Sequence, residues 1–473
     1  MLHVPQSRQT DTGMDTTLFP LPLTPIEHVF FKQDRPTHPI QFFCRLRFAG
    51  VLKEKVLREA LCKTIERHPV FQAVVRARSD ECCHWQHSKG ITPGLRWLDQ
   101  EPEEAYPPST FLDIQKTPGL EITVVAGKAR SDLIVQVHHA ACDGIGSLDF
   151  LADLLTMYAN CLSGVQTYRL RQLKTEQFKQ RGQFGVTFWK WFRSPCCTIS
   201  ALVRVMRFST RKPVPLMPQR PDYGDSRLPA NYPEGCFHRF SREESAAIQS
   251  VARKFGRPIN NLLSRDLFLA LQRWRTTEGF AGTEDWLRIV IPASLRTLAQ
   301  RTMPVANLVS NLYLDHQASE LQDPDKILVE IDREIKLLKR SQLGLMFSSI
   351  FGILERFPRL FRKTVGRDRC WGTMLLTNLG PVLTNCFLPR RDGCLELADL
   401  VLDNVEMLPG IPAYQCVNFS VSLYGGRLSL GMSYDSRAIT VERARNLLDC
   451  FVAQIRQSAA VSPAVQGQAR EAA

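Results

Sequence analysis

The chain has 473 residues, 44% of them hydrophobic and 23% charged, with a formal net charge of +13. That length exceeds one ordinary core and allows two or three domains, and the composition is that of a folded globular protein, not a disordered one. No run of eighteen apolar residues occurs and residues 1–17 lack a hydrophobic leader core, so neither a membrane span nor a secretory signal is expected. Fourteen cysteines without a repeating framework predict reduced, cytosolic thiols.

In chain order, residues 1–18 are polar and expected to be disordered. A strand is predicted over 41–48, where Phe42, Cys44, Leu46 and Phe48 share one face, then a helix over 53–67 and a strand over 70–76. Cys82-Cys83-His84-Trp85-Gln86-His87 crowds four potential metal ligands into six residues. No second cluster completes a tetrahedral set, and Cys83, Trp85 and His87 alternate as a strand face does, so a half-buried strand is expected and no metal. A hairpin near Gly127-Lys128 leads into an apolar strand over 133–137. His138-His139-Ala140-Ala141-Cys142-Asp143-Gly144 follows at its end. Gly144-Ile145-Gly146 breaks the extended run, Leu148, Leu151, Leu154, Leu155 and Tyr158 recur at helical spacing, and Gly164 is a plausible stop.

A strand, a polar turn and a helix place side chains at the strand's carboxyl end, where ligands meet α/β sheets. A histidine there titrates near neutral pH and can take a proton from an attacking hydroxyl or amine. The carboxylate four residues on could fix the ring's tautomer or hold the turn through an arginine, and the spacing leaves both open. Gly144 provides for close backbone approach or a positive φ. Cys142, inside the heptad, is open to two readings, a nucleophile beside His139 or turn packing.

From Val165 to Arg220 the chain carries twelve basic residues against Glu176 alone, which leaves only +2 for everything else. Phe184, Phe188, Trp189, Trp191, Phe192, Val203, Met206 and Phe208 are interleaved with them. Three readings stay open: an inter-lobe connector with one packed face, an interfacial membrane segment over 184–212, and nucleic-acid binding, for which no motif is present. The second half opens near Phe237 with a capping box, Ser241 to Glu244, and a helix to about 255. Helices over 259–276 and 323–339, strands over 287–291 and 308–314, paired strands over 416–423 and 427–434, and a last helix over 440–458 follow. A second apolar and basic stretch covers 343–369. Residues 459–473 are expected to be disordered.

Taken together, the HHxxxDG heptad resembles that of the CoA-dependent acyltransferase superfamily, which includes condensation domains, chloramphenicol acetyltransferase, wax ester synthases and polyketide-associated acyltransferases. Further segments resemble the family in the same order: Phe19-Pro20-Leu21-Pro22-Leu23-Thr24-Pro25-Ile26-Glu27; Glu66-Arg67-His68-Pro69-Val70-Phe71, without the usual final arginine; Ile291-Pro292-Ala293-Ser294-Leu295-Arg296; the Asn307 segment; Thr377-Asn378-Leu379-Gly380-Pro381; and Tyr424-Gly425-Gly426-Arg427 through Tyr434-Asp435. The resemblance implies an α/β fold of two chloramphenicol-acetyltransferase-like lobes, each a mixed sheet flanked by helices, with the active site in a tunnel between them. The lobes are expected at 19–164 and 236–458, joined by 165–235.

By the same resemblance His139 is the catalytic base, His138 its structural neighbour, and Asp143 an architectural residue in an ion pair with Arg296. Gly144 completes the motif, and Thr377 and Asn378 are candidates for oxyanion stabilisation or tunnel lining, with a capped turn as their structural alternative. The implied activity is acyl transfer from acyl-CoA, or from the phosphopantetheine of an acyl-carrier protein, to the hydroxyl or amine of a small-molecule or lipid acceptor. No bound cofactor, no metal and no nucleic acid are expected, and a monomer in the cytoplasm, with peripheral contact at the inner membrane surface through 184–212. Alternatives are condensation-type amide synthesis with carrier-protein thioesters, or a non-catalytic module that binds acyl thioesters or a carrier.

Overall fold

The computed structural model describes residues 18–77, 83–88, 90–183, 203, 206–217, 228–340, 351–365 and 370–460. The expected disordered ends at 1–17 and 461–473, most of the basic segment (184–202, 204–205) and 341–350 lie outside the described residues. Leu18, by contrast, is buried, and the last helix runs on through Ala460.

Two mixed sheets carry the fold. The first has seven strands, in spatial order β12 (Arg390–Arg391), β13 (Cys394–Leu397), β14 (Leu400–Leu408), β2 (Gln41–Ala49), β7 (Arg130–His138), β6 (Leu120–Ala126) and β5 (Gly94–Leu98). β2 and β7 are central and largely buried on both faces, polar residues such as Arg45, Asp132 and Gln136 included. Helices α1 (Pro25–Gln33), α2 (Glu54–Glu66) and α3 (Gly144–Ser163) belong to this lobe, and Leu57, Leu61, Phe150, Leu151 and Leu154 share its core with Leu46, Val135 and Val137. A small sheet of β1 (Leu21–Pro22), β4 (Cys83–His87) and β3 (Ala73–Ala77) closes one side. In β4, Cys83 and Trp85 are buried and Gln86 is exposed, a half-buried strand.

The second sheet has six strands in the order β10 (Val309–Gln317), β9 (Trp286–Ser294), β11 (Met374–Pro381), β15 (Val417–Tyr424), β16 (Arg427–Tyr434) and β8 (Gly235–Arg239). α4 (Arg242–Lys254), α5 (Ile259–Thr277), α6 (Pro324–Arg340) and α8 (Val441–Ala460) belong to this lobe, with a short α7 (Pro358–Val365) between α6 and α8 in sequence. Leu267, Leu271, Ile331, Leu447 and Phe451 pack on Leu287, Ile289, Leu314 and Phe419 of the strands. Capping boxes start α1 (Thr24 with Glu27) and α4 (Ser241 with Glu244), and Gly164 ends α3 at φ 71°.

The lobes exchange chain. β12–β14 lie in the range expected for the second lobe, yet β14 pairs antiparallel with β2 and completes the first sheet. What holds it there is a ladder of side chains on one face of β15. Asn418, Ser420 and Ser422 donate to the carbonyls of Gly410, Met407 and Val405, and the Tyr424 hydroxyl donates to Leu402 O at 3.0 Å. Each such bond contributes about 0.5–1.5 kcal/mol net. In the other direction, Met303, Val305, Ala306 and Leu308 insert into the first core. The connector is fastened at both ends: Arg181 forms a buried pair with Glu27 at 2.7 Å, and Val214 N–H donates to Trp286 O at 3.0 Å.

Candidate active site

β7 delivers His138 at its end, and the turn places Asp143 at the N-cap of α3. His138 is fully buried and faces away from solvent: its Nδ1 accepts the Ala140 N–H at 3.1 Å and its Nε2 lies 3.1 Å from Asp34 Oδ2. Asp34 in turn accepts the Ile40 N–H at 2.8 Å. His138 therefore bolts the 34–40 loop to the turn.

His139 points into a cavity of about 360 Å³ between the two sheets. Its backbone is held from both lobes, the N–H by Ile40 O at 2.8 Å and the carbonyl by Asn307 Nδ2 at 2.6 Å. The ring lies 4.6 Å from Phe30 and 5.1 Å from Phe42, centroid to centroid. Burial pulls its pKa down to about 4, against the opposing pull of Asp143. The residue's own carbonyl also favours the charged form, but outside hydrogen-bond geometry, and Nδ1 is buried with no hydrogen-bond partner among the described residues. The imidazole is neutral near pH 7, with Nε2 left to the cavity.

Asp143 does not touch the ring by hydrogen bond. It accepts the N–H groups of Gly146 (2.8 Å) and Leu308 (2.7 Å) and Nη1 of Arg296 (2.7 Å). Burial alone would raise its pKa; the guanidinium and the two amides override that and hold it below the usual carboxylate range. Arg296 also donates to Ala306 O at 3.0 Å, so one arginine of the second lobe ties the turn, α3 and the 306–308 segment together. Cys142 is buried, donates to Asp143 O at 3.0 Å and has its thiol pKa pushed up by burial, which suits packing and not nucleophilic chemistry.

Gly144 lines the cavity without a positive φ; a Cβ there would stand 3.0 Å from Leu379 Cδ2. Its role is space, not backbone freedom. Thr377 and Asn378 also line the cavity. The Asn378 Oδ1 accepts Gly380 N–H at 2.9 Å, which is the turn-capping arrangement, while the Thr377 hydroxyl has no partner among the described residues. Phe351 brings the apolar stretch after 343 to the cavity wall.

No known family profile matches the chain. Among curated proteins, a plipastatin synthase from Bacillus subtilis (strain 168) is 27% identical over 175 residues, 34% of this chain, and the chain spans only 7% of that protein's length. Among solved structures, the first condensation domain of the CDA synthetase is similar at a TM-score of 0.67 and 14% identity, covering 93% of this chain and 96% of its own. The starter condensation domain of rhizomide synthetase, solved with C8-CoA, reaches 0.64 at 13% identity over 95% and 98%. The chain has the fold of these condensation domains. An epimerization domain of tyrocidine synthetase B is also similar, at 0.60 and 13% identity over 93% of this chain and 97% of its own, so this fold hosts more than one chemistry.

Within this fold the structure brings His138, His139, Asp143, Gly144, Arg296, Thr377 and Asn378 to one place. Sequence reasoning missed Asp34, the partner of His138, and Phe30, which stacks near the His139 ring; each lies more than a hundred residues away and carries no local signal. Gly146 was legible only as a strand breaker. A Cβ on it would stand 2.8 Å from Cys142 Sγ and 3.1 Å from both Ala306 O and Arg296 Nη2, so the α3 terminus meets Arg296 only through glycine.

Proposed function

We propose that the protein transfers an acyl group from a thioester to a hydroxyl or amine of a hydrophobic acceptor, with His139 as general base. The observation that carries this reading is a neutral imidazole, fixed at its backbone from both lobes, with one ring nitrogen open to a largely apolar cavity. The acceptor's oxygen or nitrogen attacks the thioester carbonyl while His139 Nε2 takes its proton. The new bond forms, a tetrahedral oxyanion develops, and the C–S bond then breaks, with the proton passing from His139 to the leaving thiolate. Thr377 Oγ1 is the proposed donor to that oxyanion. Asp143 and Arg296 hold the turn and do not contact substrate.

The donor is an acyl-CoA or a carrier-bound phosphopantetheine thioester. Phe30, Phe42, Phe351, Trp371 and Leu375 in the wall favour an apolar acceptor. Among the described residues no helix is long and apolar enough to cross a membrane. Peripheral contact through 184–212 in a cytoplasmic protein belongs to this proposal; equal binding of the Trp189/Trp191/Arg193 triple alanine variant and the wild type to anionic liposomes would count against it.

The test is turnover of an acyl-CoA panel with candidate alcohols and amines, read by mass spectrometry. His139→Ala is expected to lose about 10²–10⁴-fold in rate with an unchanged circular dichroism spectrum. Full retained activity overturns the assignment. Turnover only with carrier-bound thioesters, yielding amides, would make the protein a condensation-type enzyme.

A further inference from the structure

Residues 351–365 lead from the cavity wall to the protein surface. Phe351 and, on α1, Val29 line the cavity. Behind them Phe361 of α7 is 3% exposed and packs with Val29, Phe351 and Leu354. Its ring lies 4.9 Å from that of His28, and His28 Nδ1 pairs with Glu355 Oε1 at 2.8 Å. α7 is thereby seated on α1, one side-chain layer from the cavity.

The outward side of the same stretch is both apolar and basic. The Phe357 N–H donates to Leu354 O at 2.8 Å, and the N–H groups of Leu360 and Phe361 both donate to Phe357 O at 2.9 Å, so the chain winds through consecutive turns. Ile353, Phe357 and Leu360 stand out from these turns at 40%, 58% and 48% exposure. A single exposed apolar side chain needs no explanation, but three on adjoining turns make a patch of the kind that marks an interaction site. Arg356, Arg359 and Lys363 are exposed among them, and none is in an ion pair among the described residues. Glu355 is the one acid of 351–365 and is taken by His28; Glu27 is the one acid of α1 and is buried against Arg181. Neither element supplies a free carboxylate to answer these cations.

We infer that the exposed face of 353–363 is a docking surface for an anionic lipid bilayer, with Phe357 and Leu360 entering the boundary between headgroups and acyl chains and Arg356, Arg359 and Lys363 meeting the lipid phosphates. Hydrocarbon and cations interleaved on short turns match that interface, which is apolar below and anionic above. Each cation near such a surface strengthens binding about fivefold. The surface is separate from 184–212. Its place one layer outside the cavity would let an apolar acceptor pass from the bilayer to His139; that last clause rests on the acyl-transfer reading above, whereas the docking does not.

The test is co-sedimentation of the full chain with phosphatidylcholine vesicles, with and without phosphatidylserine. The wild type is expected to bind the vesicles that contain phosphatidylserine, less well at high salt, and to leave phosphatidylcholine alone in solution. Arg356→Gln/Arg359→Gln should weaken binding about ten- to thirtyfold, and Phe357→Ser/Leu360→Ser roughly tenfold or more. Leu360→Trp should tighten it, because indole is a better interfacial anchor, and this gain cannot come from a damaged fold. All three effects should persist in the Trp189/Trp191/Arg193 triple alanine background. A wild type that ignores the anionic vesicles, or binding that neither double variant weakens, overturns the proposal. So does a wild-type dimer on size exclusion that both double variants dissolve, since the face then belongs to a second copy. Vesicle binding with these changes but no turnover of any thioester keeps the docking surface and overturns the acyl-transfer reading; turnover by a protein that ignores vesicles does the reverse.

Discussion

Arg296 reaches from the second lobe to Asp143 at the head of α3, Nη1 to Oδ2 at 2.7 Å, and makes the His138–Gly144 turn a property of both lobes. The carboxylate is 4% exposed and the guanidinium 19%, so the pair is shielded from water and from salt. Arg296→Met leaves Asp143 as a buried charge with only two amide donors. The expected cost is about 3–5 kcal/mol, seen as a lowered denaturant midpoint. The double variant Arg296→Met/Asp143→Asn should recover part of that stability, because the stranded charge is gone, without recovering activity. A double variant no more stable than the single one would refute this account.

The two histidines should separate cleanly. His139→Gln is expected to abolish activity and leave the melting temperature near that of the wild type, since its side chain opens on the cavity. His138→Gln removes a fully buried ring between Asp34 and the Ala140 N–H, so its main effect should be a drop in melting temperature, with activity falling as the turn loosens. Equal melting temperatures for both variants would contradict the assignment.

The pH dependence follows from the His139 pKa near 4. A free histidine binds its proton near 6.5. Between those values the unfolded chain holds the proton and the folded protein does not, so this group favours unfolding as pH falls from 6.5 to 4 and adds no further slope below 4. kcat/KM should stay level from neutral pH to about 5 and then fall as the base is protonated. His139→Gln should flatten the corresponding part of the stability profile, measured by thermal melts across that window. A wild-type kcat/KM that halves near pH 6.5 would show that the ring is not desolvated as the structure has it.

Gly146→Ala is a small change with a large expected effect. The added methyl group meets a sulfur, a carbonyl oxygen and a guanidinium nitrogen at 2.8–3.1 Å. Overpacking of this kind costs about 1–3 kcal/mol, and the displaced Arg296 should lower kcat more than it raises KM. Gly164→Ala at the other end of α3 serves as a control, because it is strained by its φ of 71° but meets nothing within 4 Å and lies far from the site in sequence.

Tyr424 tests the exchange of strands between lobes. Its hydroxyl donates to Leu402 O and accepts Leu395 N–H at 2.8 Å, both buried. Tyr424→Phe leaves that amide and carbonyl unpaired and should cost about 1–3 kcal/mol. Urea unfolding followed by Trp fluorescence checks it; an unchanged midpoint would mean that the ladder contributes little.

Much of this was legible in the residues themselves. Period-2 and period-3.6 patterns gave β2, β7, α3, α5 and α8 to within a few residues, because those elements bury a face whose repeat is written in the chain. The heptad from His138 to Gly144 announced a strand end, a turn and a helix start, and its order with the Arg296 and Thr377 segments suggested the fold. Other features carry no local mark. Asn418, Ser420 and Ser422 alternate with apolar residues as a solvent-facing edge would, yet they are buried, because β14 supplies carbonyls to Ser420 and Ser422 and Gly410, just beyond it, supplies one to Asn418. Asp34 is an ordinary loop aspartate until His138 lies beside it. Local pattern was enough for the strongly periodic elements and for the residue types that chemistry could use, but not for β11–β14, which the reading of the chain left without an element. Only the tertiary structure decided that His138 is a bolt and His139 the group open to the cavity, that Asp143 answers to Arg296 rather than to the ring, and that a strand from the second half completes the first sheet. The reason is physical: local pattern records which faces seek burial, but a hydrogen bond or ion pair across a hundred residues exists only once both partners have been brought within about 3 Å.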